Sequence, residues 1–120
     1  MAATRPGVWL VARPEAVIPE LTEPLRGDGF AVFVSLTAPV EPFALVVQLV
    51  DETPELAAAF ARRLRADRTL APKPLLWLVN ETTLASAAGG LAAGADACLV
   101  RPVDGELLTA QVQEIGRAHV

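Results

Sequence analysis

Five short runs of apolar residues constrain the fold of this chain more than any other feature of its sequence. The runs are residues 8–11, 30–34, 44–50, 75–79 and 97–100. They are almost continuously hydrophobic rather than alternating, which is typical of strands that helices cover on both faces. Segments with helical spacing separate most of these runs, so the β-α order repeats. The sequence therefore predicts an α/β fold with a parallel sheet.

The first predicted helix carries apolar residues four positions apart, at Val17, Leu21 and Leu25. It also contains Pro19 and Pro24. Proline deep inside a helix removes a hydrogen bond and costs about 3 kcal/mol. We therefore expect a kinked or shortened element.

The second predicted helix has a clear start, with Thr53 as N-cap and Pro54 at the first helical position. Leu56, Phe60 and Leu64 follow at helical spacing and predict its buried stripe.

Two further helices are predicted over residues 82–93 and 104–116. The third is rich in alanine and contains Gly89 and Gly90. Each glycine costs about 1 kcal/mol relative to alanine, so this helix is predicted to be weak. The last begins at the N-cap Asp104. Its predicted inward-facing residues are Leu107, Leu108, Val112 and Ile115.

One helix is missing from the repeat. Only residues 35–43 separate the second apolar run from the third, and they include Pro39 and Pro42. A parallel crossover normally needs about 10–12 residues and contains a helix. We therefore predict a loop, or at most one turn, between these strands.

Composition limits the possible classes of protein. The chain has 120 residues, 52% of them hydrophobic and 20% charged, which predicts one globular domain over residues 1–120. The net charge of −4 argues against a nucleic-acid-binding surface. No apolar run reaches the roughly 18 residues of a membrane span, and no signal peptide is visible. Together with the single cysteine, these features predict a cytoplasmic protein with no membrane partner.

Residues 94–102 carry the most specific motif of the chain. Gly-Ala-Asp leads through Cys98 and two aliphatic residues to Arg101 and Pro102. This motif resembles the last strand of response-regulator receiver domains of two-component signalling, which read Gly-Ala-Asp, an aromatic, two aliphatics and Lys-Pro. Residues 8–14, 25–32, 42–48 and 74–80 resemble other receiver segments. The resemblance implies a flavodoxin-like, doubly wound sheet of five strands in the order 2-1-3-4-5, with the site at the carboxyl ends of the strands.

The resemblance also implies that the receiver site has been lost in this chain. The acidic pair falls on Ala12 and Arg13, the phosphoacceptor on Gln48, the hydroxyl on Val79, the lysine on Arg101 and the switch aromatic on Cys98. A hard divalent cation needs carboxylate oxygens, and an amide is a poor nucleophile for phosphoryl transfer. We therefore expect a degenerate pseudo-receiver that binds no magnesium, has no cofactor and is not an enzyme.

A second alignment remains open, because Asp51 lies three residues beyond Gln48. If the third strand extends that far, Asp51 becomes the acceptor, although the loop to the next helix is then short. Gln48 is the preferred position. The metal site stays incomplete in either alignment.

The two arginines of the degenerate site are predicted to lie at the same end of the sheet. In one hypothesis a guanidinium of Arg13 or Arg101 replaces the metal and donates to Gln48. Carboxylates such as Asp51 or Glu52 are alternative acceptors, and exposure of both arginines to water is the remaining alternative. Cys98 is predicted to be a small core residue.

The expected function is signal transduction by phosphorylation-independent protein–protein interaction. In receivers, the face made by the last two helices and the last strand commonly mediates dimerisation. Here that face is predicted to include Leu84, Leu91, Leu108 and Gln111. The partner is a second copy, a fused effector domain or another protein. Two alternatives are a sensor of a small ligand or anion at Arg13 and Arg101, and a working phospho-receiver that uses Asp51.

Overall fold

The computed structural model describes residues 7–15, 18–51 and 53–118. The strands are β1 (Gly7–Val11), β2 (Ala31–Ser35), β3 (Leu45–Val50), β4 (Leu75–Val79) and β5 (Ala97–Val100). The helices are α1 (Pro19–Gly27), α2 (Pro54–Ala66), α3 (Ala87–Ala93) and α4 (Gly105–Ala118), with a 3₁₀ turn at Leu84–Ser86.

The strands form one parallel sheet in the order β2-β1-β3-β4-β5. This order confirms the predicted flavodoxin-like α/β architecture. Val50 of β3 is in register with Val79 of β4, and Val79 is in register with Val100 of β5. The carboxyl ends of these three strands are therefore level.

The sheet separates two apolar cores. Helices α1 and α4 cover one face, where Leu21 and Leu108 pack with Leu10, Val47 and Leu78. Helices α2 and α3 cover the other face. Its core includes Trp9, Val46, Ala61, Leu64, Trp77 and Ala93. Burial of both faces explains why the strands are continuously hydrophobic.

Helix α1 has nine residues, so the expectation of a shortened element is confirmed. Pro19 occupies its first position, where the missing N–H needs no partner, and Pro24 lies inside the helix. Leu21 and Leu25 are buried as predicted, while Val17 lies outside the described residues.

Helix α2 begins as predicted, with Thr53 at the N-cap position and Pro54 next. Its predicted buried stripe is confirmed at Leu64 and is wrong at Leu56, while Phe60 is partly buried against Trp9. Ala57, Ala61 and Leu64 face the sheet, whereas Leu56 is 67% exposed. The small side chains of Ala57 and Ala61 occupy the face of α2 that contacts the sheet. Leu56, next to Ala57 in the sequence, therefore faces solvent.

The third predicted helix is shorter than residues 82–93. The chain after β4 first makes hydrogen-bonded turns and the 3₁₀ segment, and α3 has only seven residues. Gly90 has a packing role, since a Cβ there would overlap the ring of Trp77. Gly94 ends the helix with φ +128°, a conformation that favours glycine.

Helix α4 is capped as predicted, because Asp104 Oδ1 accepts hydrogen bonds from the backbone N–H of Glu106 (2.8 Å) and Leu107 (3.3 Å). Leu108, Val112 and Ile115 are buried. The prediction that Leu107 faces inward is wrong. Leu107 is one position, about 100°, away from the buried stripe, and its side chain is exposed.

No helix connects β2 to β3, so the predicted loop is confirmed over residues 36–44. The aromatic rings of Phe43 and Phe60 instead pack edge-on against Trp9, at centroid distances of 5.5 and 5.6 Å. Within the described ranges, no helix is both long and apolar enough to cross a membrane.

Candidate functional site

Three polar residues follow the level ends of the central and edge strands. Asp51, Asn80 and Arg101 come directly after Val50, Val79 and Val100, which are in register. Continuation of that register by one residue places the three side by side at the carboxyl edge of the sheet. Ligand sites of doubly wound folds lie at this edge.

Arg101 joins three elements of the structure at this edge. Its Nη1 donates to Asp51 Oδ1 at 3.0 Å, and its Nη2 donates to Glu20 Oε1 at 3.0 Å. The guanidinium therefore connects the end of β5 to the end of β3 and to the first turn of α1. The arginine side chain is only 22% exposed, whereas the two carboxylates are about half exposed, at 48% and 50%. One cation is shared between two anions.

Hydrogen bonds hold the loop after β4 against the end of β3. The sequence analysis did not predict these contacts. Asn80 Nδ2 donates to the carbonyl oxygen of Asp51 at 3.2 Å. The hydroxyl of Thr83 is buried and donates to the carbonyl oxygen of Val50 at 2.7 Å. Asn80 Oδ1 accepts from the backbone N–H of Thr83 at 2.9 Å. The Asn-x-x-Thr spacing after a buried strand is a turn signal. It could have predicted that this loop is held by side-chain hydrogen bonds.

Gln48, which the resemblance placed at the phosphoacceptor position, does not lie at the carboxyl edge of the sheet. Strand β3 continues for two residues beyond Gln48, so this residue lies inside the sheet rather than at its edge. Its side chain is 4% exposed. Gln48 Oε1 accepts from Trp77 Nε1 at 2.8 Å, and its Nε2 donates to the carbonyl oxygen of Ala57 at 3.2 Å. The hypothesis that a guanidinium donates to Gln48 is wrong for the same reason.

The other predicted site positions are spread around the edge. Val79 is buried in β4, one residue before the edge. Ala12 is buried, and its backbone N–H donates to Ser35. Arg13 is exposed. Glu52 lies outside the described residues.

Cys98, at the predicted switch position, is partly buried in β5, next to Trp77 of β4 in the register. Burial raises the pKa of its thiol. The side chain packs against the core on the α2 and α3 side, as predicted, but it is not enclosed there.

The residues at this edge do not fit a magnesium ion. Magnesium requires several oxygen ligands in near-octahedral geometry. At the two positions where the receiver resemblance implies carboxylates, this chain has Ala12, whose side chain is a methyl group, and Arg13, whose side chain is positively charged. Asp51 and Glu20 already share the guanidinium of Arg101. Within residues 7–15, 18–51 and 53–118, no three His, Cys, Asp or Glu side chains are grouped so that they could hold a metal.

Two residues of the predicted interaction face lie on the exposed surface. Leu84 and Leu91 are about half exposed. Leu108 is wrong as a member of this face, because it is fully buried under α4. Leu107, its neighbour, is exposed in its place, as is Val100 of β5. Gln111 is partly exposed.

The sequence matches no protein-family model and no curated protein. Solved structures do match the fold. Full-length FixJ from B. japonicum has a TM-score of 0.81 at 23% identity, over 98% of this chain and 60% of that one. The chemotaxis response regulator CheY4 of Vibrio cholerae has a TM-score of 0.74 at 22% identity, over 93% and 99%.

An atypical orphan response regulator, described as having a phosphorylation-independent regulatory mechanism, has a TM-score of 0.71 at 18% identity, over 92% of this chain and 95% of that one. Together with the strand order, these likenesses show that the chain has the fold of response-regulator receiver domains.

Proposed function

We propose that this chain is a pseudo-receiver, a non-enzymatic signalling module that acts by protein–protein interaction without phosphorylation. The observation that carries the proposal is the contact of Arg101 with both Asp51 and Glu20. A receiver site needs free carboxylates for a metal and for the phosphoryl group. Here two carboxylates at this edge, Asp51 and Glu20, are paired with the guanidinium of Arg101.

The chemistry of phosphoryl transfer supports this proposal. Transfer depends on a metal ion that neutralises the charge developing on the phosphoryl oxygens. Arginine is charged at every relevant pH and has no lone pair to offer, so it cannot replace a metal ligand. Arg13, at the end of β1, would repel a divalent ion. The atypical orphan regulator among the similar structures shows that the fold occurs with a phosphorylation-independent mechanism.

A working phospho-receiver is the second candidate, and one observation favours it. Asp51 directly follows β3 and is about half exposed. Asp51 therefore lies at the carboxyl end of β3, where the phosphoacceptor of a receiver is expected and where Gln48 had been predicted. The incomplete donor set for magnesium is the reason for ranking this candidate second.

A sensor of a small anion is less well supported. An anion would have to bind Arg101, whose positive charge is already shared by two carboxylates. Binding would require one of these ion pairs to break.

The proposed interaction surface is the face formed by α3, β5 and α4. Its exposed apolar residues are Leu84, Leu91, Val100 and Leu107, with Gln111 beside them. Large exposed apolar side chains on a small domain are candidates for an association site when they form one patch. A second copy of the chain or an effector domain is the proposed partner.

A direct test uses beryllofluoride, a mimic of the phosphoryl group, together with magnesium. The melting temperature of the wild-type chain should be the same with and without the mimic, because the site binds neither component. The variant Asp51→Asn is the matched control and should behave identically. A stabilisation that appears in the wild type and disappears in D51N would establish the phospho-receiver instead.

A further inference from the structure

The helical segment between β4 and β5 contributes small residues to the core. The structure describes all of residues 84–93, which form the 3₁₀ turn and α3, and the buried residues among them are Gly90 and Ala93. The two leucines of the segment, Leu84 and Leu91, are about half exposed. Helices α2 and α4, by contrast, bury large aliphatic side chains against the sheet. Since packing of an apolar face supplies most of the stability of a helix in a protein, this segment receives little of that stabilisation.

The segment is also weak as a helix in its own right. Helix α3 has seven residues, whereas an isolated helix shorter than about 12–15 residues is marginal in water. It contains Gly89 and Gly90, and glycine is less favourable than alanine inside a helix. The side chain of Ser86, at the N-cap position, makes no capping hydrogen bond. The order of α3 therefore depends on its tertiary contacts.

Hydrogen bonds hold the chain firmly on both sides of this segment. Before it, the buried hydroxyl of Thr83 donates to the carbonyl oxygen of Val50 at 2.7 Å. After it, the carbonyl oxygen of Gly94 accepts two hydrogen bonds from Arg65, from Nε at 2.9 Å and from Nη2 at 2.6 Å. Arg65 Nη2 also donates to Asp96 at 2.7 Å, so this side chain is held in place independently of α3. These two ends can stay in place while the residues between them separate from the sheet.

Between the two ends, α3 lies on the ring of Trp77. Gly90 is so close to the indole that a Cβ at this position would overlap it. The indole Nε1 donates to Gln48 Oε1 at 2.8 Å, and Gln48 belongs to β3. Separation of α3 from the sheet therefore uncovers one face of the ring and leaves the hydrogen bond of the indole intact.

We propose that residues 84–93 open and close as one unit while the sheet and the other helices stay folded. Segments with few buried apolar contacts open locally at a smaller free energy than global unfolding requires. Leu84 and Leu91 of the proposed interaction surface lie on this segment. The other exposed apolar residues of that surface, Val100 and Leu107, lie on β5 and α4. The closed state therefore presents the complete surface, and the open state presents part of it.

The opening regulates the proposed interaction surface, and this role rests on the proposed function. A partner that contacts the complete surface binds the closed state and so shifts the equilibrium towards it. The open fraction of the chains in turn lowers the apparent affinity for that partner. The opening itself needs no partner, because it follows from the contacts of the free chain.

Hydrogen–deuterium exchange of the free full chain, followed by mass spectrometry of peptic fragments, tests the opening. The amides of α3 should have protection factors lower than those of β4 by roughly 100-fold or more, because the central strand exchanges only on global unfolding. Low concentrations of urea should accelerate exchange in β4 but not in α3. The reason is that local opening exposes much less surface than global unfolding does.

Two variants separate local opening from global unfolding. Gly89→Ala should slow exchange in α3 by about fivefold, because a Cβ there meets no atom within 4 Å and alanine favours the helix. Val47→Ala creates a small cavity in the core on the opposite face of the sheet. It should accelerate exchange in β4 by about tenfold or more and leave exchange in α3 unchanged. Circular dichroism melts confirm that both variants are folded.

Equal protection of α3 and β4 in the wild-type chain would overturn the proposal, because the two elements would then unfold together. The same acceleration of exchange in α3 and in β4 by Val47→Ala would do so too. The wild-type comparison decides the question even where a variant does not fold. It uses no partner, no acetyl phosphate and no magnesium, so failure of this proposal is distinct from failure of the proposed function.

Discussion

Arg101 and Asp51 are 50 positions apart in the chain, and they meet at 3.0 Å between Nη1 and Oδ1. The contact spans from β5 to β3 across the end of β4, where Asn80 binds the backbone of Asp51. Glu20 extends the contact to α1. Polar contacts therefore connect four segments at the carboxyl edge of the sheet: the ends of β3, β4 and β5, and the first turn of α1.

Removal of the Arg101 guanidinium should destabilise the fold slightly. Arg101→Met keeps much of the side-chain stem but loses both ion pairs, and the expected loss is at most about 1 kcal/mol because the carboxylates are half exposed. Urea denaturation measures it. The loss should shrink in about 1 M salt, where the Debye length is about 3 Å.

Arg62→Met, an exposed change on α2, serves as the control for Arg101→Met and should have little effect. A loss for R101M that is the same at low and high salt would show that packing of the stem, rather than charge, is responsible.

Replacement of Gln48 should cost more stability than replacement of Arg101, because its partners are buried. Gln48→Met leaves the indole N–H of Trp77 and the carbonyl oxygen of Ala57 without this partner. A buried unpaired group costs about 1–3 kcal/mol. Urea denaturation should show a loss in this range.

Trp77→Phe provides the check on Gln48→Met. The two substitutions share one hydrogen bond, so the double variant should lose less stability than the sum of the single variants. Strict additivity would contradict the contact between Gln48 and Trp77.

Gln48 also shows why the site could be predicted only in part. The apolar runs predicted all five strands, because a continuous run is a strong signal, and the resemblance to receiver domains implied their order. The end of β3 was harder to place, since Gln48 interrupts an apolar run that continues to Val50. A polar residue in such a run is as consistent with a strand end as with a hydrogen-bonded core position. The hydrogen bonds of Gln48 with Trp77, 29 positions away, and with Ala57 decide between them.

The faces of the helices were less predictable than the strands. Leu56 and Leu107 have the apolar character and spacing of core residues, but alanines in α2 and Leu108 in α4 occupy the inner positions. Which of two adjacent apolar residues faces inward depends on the rotation of the helix about its own axis, because adjacent residues are about 100° apart. That rotation is set by tertiary packing rather than by local spacing.

Two adjacent glycines of α3 should respond in opposite directions to alanine. A Cβ at Gly89 would meet no atom within 4 Å, so Gly89→Ala should stabilise the chain by up to about 1 kcal/mol. A Cβ at Gly90 would overlap the Trp77 ring, so Gly90→Ala should destabilise it by about 1–3 kcal/mol. Thermal melts compare the two, and equal effects would contradict the packing of Gly90 on Trp77.

The thiol of Cys98 should react slowly in the folded chain. Desolvation raises its pKa, so at pH 8 the folded chain has a smaller fraction of the reactive thiolate than the unfolded chain. Alkylation by iodoacetamide should be slower in buffer than in urea. The rise of the rate with pH should also occur at higher pH in the folded chain. An alkylation rate in buffer at pH 8 that equals the rate in urea would contradict the burial of this side chain.

The most direct measurement is intact-mass spectrometry after incubation with acetyl phosphate and magnesium. A phosphorylation-independent pseudo-receiver should keep its unmodified mass in the wild type and in Asp51→Asn alike, while a conventional receiver in the same reaction gains one phosphoryl group. A phosphoryl adduct on the wild-type chain that is lost in D51N would contradict the proposal and identify Asp51 as a working acceptor.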